Sequence, residues 1–290
     1  MRFIEQILKQ YPGEQMARMM TEAVKLRIQN VSDYWSRDFD KQHETVDLKR
    51  DFPLIVPPWP VMYAEWMHRF RDPEEVLTAN CGVLALTERL ADRDFAINFL
   101  IFRSQSRAAP PALRGNIDMI AIERAAESDG SPRNELVRSA VSSDFARRLK
   151  AAGQEAEADL VQQMLSRSGW EMLQPLLLAI TFAHCKNVKI VDRVGNSTRV
   201  RKDRGTAMPD DRWRVLQIDP MRQLLKGDGR EGSGDLQRAM HICRGHFKTY
   251  DEDHPLFGKI LGTFWWSAHV RGNPAFGFVE KEYAVKAPAS

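Results

Sequence analysis

Three cysteines in 290 residues, Cys81, Cys185 and Cys243, are too few, too scattered and odd in number for a disulfide framework. They point to a reducing compartment and to small buried side chains. Long apolar runs are also missing. The longest, residues 176–183, falls far short of the roughly 20 residues that a membrane-crossing helix needs. The opening stretch, MRFIEQILKQYPGEQ, lacks the unbroken apolar core of a secretory signal, because Glu5 interrupts it. The expectation is a cytoplasmic protein with no membrane association. Excess charge is absent too: 42 Lys and Arg face 39 Asp and Glu, a net +3. Any basic patch must therefore come from local arrangement rather than from composition.

Familiar catalytic signatures are equally scarce. There is no GxSxG turn, no HExxH and no GxGxxG. Residues 227–234, GDGREGSG, lack the GK[ST] ending with which a phosphate loop holds phosphate and Mg²⁺, and read as a flexible surface loop. Asp251, Glu252 and Asp253 form a charge run, not a spaced set of metal ligands. His241, Cys243 and His246 have no second ligand pair at zinc-site spacing, and on a strand His246 would face away from the other two. No metal and no cofactor is expected, and no repeat at a period of 20–50 residues is visible.

What the chain does contain is a succession of local patterns. Apolar residues at Met16, Met20, Val24, Ile28, Val31 and Trp35 recur at three-to-four spacing and predict one long amphipathic helix. Pro53, Pro57, Pro58 and Pro60 then impose an extended arm leading to a strand near 61–66. Runs at 81–87 and 95–103 predict an antiparallel pair, with a further strand at 117–122. Asp129, Gly130, Ser131 and Pro132 mark a turn, after which Ala, Leu, Arg and Glu predict helices over 134–151 and 154–166. Ser168, Gly169 and Pro175 suggest a break before a buried helix at 176–182. Short strands follow, near 188–194 and from Trp213 onward. Between them lies a basic loop with Arg199, Arg201, Lys202, Arg204, Arg212 and Arg214. The fold class predicted is α+β: a mixed or antiparallel sheet, a helical middle region and a β-rich C-terminal third. Residues 1–130 hold an N-terminal helix and strands, and residues 131–290 hold a helical segment and then the basic β-rich region. The two parts form either separate units or one compact domain.

Residues 241–283 concentrate the unusual side chains: four of the seven histidines, the adjacent Trp265 and Trp266, and cations set beside glycines. In an extended segment Ile242, Arg244, His246, Lys248 and Tyr250 share one face, with positions two apart separated by about 7 Å. A partner strand over 262–271 brings either Trp266, or Trp265 with His269 and Arg271, beside that face. Two uses fit. Arg244, Lys248 and Arg271 can hold phosphates while Tyr250, Trp265 or Trp266 stacks on a base, which makes a nucleic-acid surface, with RNA as one candidate ligand. Alternatively His246 and His269 can serve as base and acid in metal-independent cleavage of RNA, because histidine titrates near neutrality. Packing competes with both uses, since paired tryptophans are more often core than platform. A third reading takes the aromatic strands as an interface for another protein. The sequence does not decide the oligomeric state.

The strings RGHFK at 244–248, LFG at 256–258, WW at 265–266 and HVRG at 269–272 resemble a block found in uncharacterised bacteriophage and prophage proteins, with a weaker likeness at CKNV, 185–188. The resemblance implies a mobile-element origin, and with it a phage or host protein as an alternative partner. It assigns no activity and no catalytic residue.

Overall fold

The apolar alternation of residues 61–124 builds the scaffold. The computed structural model of the chain describes residues 3–36, 51–71, 76–91, 93–104, 109–124, 133–142, 144–194, 212–218, 239–243, 245–266, 269–271 and 273–278. Strands β2 (Val61–Arg71), β3 (Val76–Arg89), β4 (Asp94–Ser104), β5 (Ala112–Arg124) and β6 (Arg133–Ser142) form an antiparallel meander. On β2, Met62, Ala64 and Trp66 join one core, and Tyr63 between them joins the other. That is the period-two sorting of a sheet covered on both faces.

The sheet is completed by strands distant in sequence. β1 (Val24–Arg27) lies parallel to β2 and to β8 (Arg212–Ile218), and β7 (Val188–Val194) closes the edge against β8. The order is β6-β5-β4-β3-β2-β1-β8-β7. The fold is therefore α+β with a mixed sheet, as the sequence predicts, and further strands follow in the C-terminal region. β6 pairs with β5, so strands from both sides of residue 130 belong to one sheet, and the turn expected at 129–132 lies outside the described residues.

The helices divide between the two faces. α1 (Phe3–Gln10) and α2 (Glu14–Glu22) pack Phe3, Ile4, Ile7 and Met20 onto Tyr63, Leu84, Phe102 and Trp213. On the opposite face lie α3 (Gln29–Tyr34) and the long α5 (Glu155–Ala183), which follows the short α4 (Asp144–Ala151). Leu173, Leu176, Leu177, Ile180 and Phe182 of α5 are fully buried in the core that also holds Met62, Val83, Phe99 and Ile117 of β2–β5.

Three predicted elements differ from those observed, each for a tertiary reason. The single helix expected from Met16 to Trp35 is α2, β1 and α3. Its apolar stripe serves both cores: Met16 and Met20 pack on one side of the sheet, and Ile28, Val31 and Trp35 on the other. The chain crosses between the faces through β1, whose Leu26 is completely buried. The helix expected over 134–151 begins only at Asp144. Before it, the β5 edge offers a full ladder of backbone bonds that local helix propensity does not outweigh. The break expected at 168–175 is absent, and α5 runs through Pro175. At Gly169 the helix packs on the sheet: a Cβ there would lie 3.4 Å from Ile117 Cδ1. Burial along this crossing compensates for the backbone bond that Pro175 cannot donate.

Candidate functional site

The C-terminal residues form a hairpin whose two faces have different roles. β10 (His246–Tyr250) pairs antiparallel with β11 (Gly262–Trp266), placing His246 opposite Trp266, Phe247 opposite Trp265 and Lys248 opposite Phe264. Cross-strand partners share a face. One face therefore carries His246, Lys248, Tyr250, Phe264 and Trp266, and the other carries Phe247, Thr249, Thr263 and Trp265.

The second face docks onto the body of the protein. Trp265, 3% exposed, sits 4.6 Å from Phe247, 5.2 Å from Phe182 and 6.0 Å from Tyr34, ring centre to ring centre. Asn187, buried just after α5, clasps the same residue: Trp265 N donates to Asn187 Oδ1 and Asn187 Nδ2 donates to Trp265 O, both at 2.9 Å. Lys186 N donates to Thr263 O at 2.8 Å. At Gly245 a Cβ would meet the Trp265 ring at 2.6 Å, so only glycine lets the chain pass the indole. Trp265 is thus a packing residue and not an exposed stacking ring, because the register turns it inward.

The outer face is open to solvent in part. His246 and Lys248 are exposed, while Tyr250 and Trp266 are half-buried. Lys248 Nζ lies 4.8 Å over the Tyr250 ring, a cation–π arrangement. A tight turn over 255–260, closed by Leu256 N donating to Ile260 O at 2.8 Å, folds against Phe264 and buries it with Leu256. Phe257 takes a left-handed φ of 55° in that turn. Trp266 Nε1 is buried and meets no acceptor among the described residues. At the end of β10, Asp251 accepts a hydrogen bond from His254 N at 2.7 Å, and the His254 side chain is exposed.

The remaining predicted site residues lie elsewhere. β12 (His269–Arg271) pairs with β9 (Ala239–Cys243), setting His269 opposite Cys243 and Arg271 opposite His241, and β13 (Asn273–Phe278) flanks β9 on its other side. His246 and His269 are therefore not cross-strand neighbours, since β11 and β12 pair with different strands. The side chains of His269 and Arg271 are outside the described residues. So are Arg244, the basic run Arg199, Arg201, Lys202 and Arg204, and the loop at 227–234. Arg212 and Arg214 belong to β8 rather than to a loop, and Arg214 is engaged, 3.0 Å from Asp192 and over the Trp59 ring at 5.4 Å.

Some polar groups escape a reading of the sequence. His68 on β2 is buried beside the Arg103 guanidinium, and burial, then that charge, lowers its pKa to about 4. Across the sheet, Arg27 stacks on Trp213 at 4.8 Å and pairs with Glu65 at 3.4 Å. Burial first, then Glu65, raises the pKa of Tyr63. Neither group stands in a motif, so only the pairing of strands could reveal them. Cys81 and Cys185 are buried with thiols pushed up to about 12 by burial, which fits small packed residues and not nucleophiles. Among the described residues no group of three or more His, Cys, Asp and Glu gathers to hold a metal, and no helix is long and apolar enough to cross a membrane. Comparison with known proteins adds no relative: no family model, no curated protein and no solved structure matches the chain.

Proposed function

We propose that the chain binds nucleic acid, with RNA as the first ligand to test, through the outer face of the β10–β11 hairpin. The observation that carries this reading is the ladder register, which gathers the exposed His246 and Lys248 with the half-buried Tyr250 and Trp266 on one face. Cations for phosphate beside rings for bases are what such a surface requires. Arg244, Arg271 and the run Arg199, Arg201, Lys202 and Arg204 belong to the proposal by sequence alone. A phage or prophage setting rests on the resemblance at 244–272. Cleavage by His246 and His269 draws no support from the strand pairing.

Fluorescence-anisotropy titrations of labelled oligonucleotides across a salt series test the reading. Affinity should fall steeply with salt, and Lys248→Gln should reduce the log–log slope by about 0.7 to 0.9, the share of one phosphate contact. A flat salt dependence would sink the proposal. It would favour a second reading, a phage or host protein as partner, for which Leu261, 45% exposed and next in the chain to Ile260, supplies apolar contact area.

A further inference from the structure

We infer that the ligand of this face is single-stranded nucleic acid and not duplex, an inference that rests on the nucleic-acid reading above. Three observations converge on it.

The first is shape. A two-stranded ribbon reads duplex DNA by entering the major groove, about 12 Å wide, and this requires a ribbon free to project. Here the inner face is fixed to the body by Trp265, Phe247 and the Asn187 clasp, so the hairpin presents a platform. The second is the placement of the rings. Half-buried Tyr250 and Trp266, each packed against the Leu256 and Phe264 cluster, stand at opposite ends of the His246 and Lys248 row, and the ring area they leave exposed suits a base that is out of a duplex.

The third is charge. His246 and Lys248 lie two positions apart on one strand, about 7 Å along a single line, which suits one backbone. A duplex brings a second backbone. On the β11 side that strand would meet the apolar turn of Leu256, Phe257 and Ile260 over Phe264. Beyond Tyr250 it would meet a loop in which Asp251, Glu252 and Asp253 outnumber Lys259. Lys259 is the single Lys or Arg of these two neighbours, against three carboxylates.

The test compares the full chain's affinity for a short RNA, a DNA of the same sequence and the corresponding duplexes at one salt concentration. At least one single strand should bind ten-fold or more tightly than its duplex. Trp266→Ala should weaken single-strand binding by about 5- to 100-fold and change duplex binding little. Tyr250→Leu, a milder change to packing, should act in the same direction and guards against a misfolded Trp266→Ala protein. Equal or tighter duplex binding would overturn the single-strand inference while leaving nucleic-acid binding intact. No binding to any of the four at low salt would overturn both.

Discussion

Protonating His68 would set a second cation beside Arg103 inside the sheet's covered face, and the protein resists it. Trp66 Nε1 approaches His68 Nδ1 at 3.5 Å, a donor that needs that nitrogen unprotonated. With the folded pKa near 4 and the ordinary histidine value at 6.5, the unfolded chain binds the proton more readily. The stabilising effect of neutral His68 is therefore complete above about pH 6.5 and is lost as pH falls toward 4, by about 3 kcal/mol in all. His68→Gln removes the titrating group. The stability difference between wild type and variant, followed by urea unfolding from pH 7.5 to 4, should shift by that amount in the variant's favour. A constant difference would mean that His68 is not held neutral. Nothing in the sequence marks this histidine, since a lone His in an alternating strand looks like any outward polar residue.

At the scale of elements, the docking of the hairpin turns on one side chain. Asn187 satisfies both backbone groups of buried Trp265, taking the place that another strand would have on the free edge of β11. Asn187→Ala leaves a buried N–H and a buried C=O unpaired, at a cost of about 2 to 4 kcal/mol. Thermal or urea unfolding should show that loss, and amide exchange should report faster opening in β10 and β11 than in β2–β5. A variant as stable as wild type would show that the clasp is dispensable. Residues 185–188 stand out in the sequence only through their resemblance to phage proteins, which gives the segment no task. Contact with residue 265 supplies one. Trp265 and Trp266 show the limit of such reading: neighbours on a strand face opposite ways, and a shift of one residue in register would exchange their roles.

For the whole molecule, one sheet organises both halves of the chain. Ala64, Trp66, Val83, Phe99, Ile101, Ile117 and Met119 of β2–β5 are buried in the core that includes α5, which arrives only after residue 154. β1 likewise lies between β2 and β8. A fragment of residues 1–130 should therefore expose that apolar face and give a poorly dispersed NMR spectrum without cooperative unfolding. A well-dispersed, cooperatively unfolding fragment would instead establish an independent N-terminal domain. The meander strands near 61–66, 81–87, 95–103 and 117–122 were legible because their alternation and their turns are local. So were the buried stretch of α5 and the strands at β7 and β8. The tertiary structure alone decided that residues 24–27 form a central parallel strand, that residues 133–142 extend the sheet, that α5 continues through Pro175 and that His246 faces Trp266. The partners of β1 and of α5 lie far along the chain, while β6 and the facing of His246 and Trp266 depend on a pairing that periodicity does not carry: it reports which residues share a side without saying what lies against it.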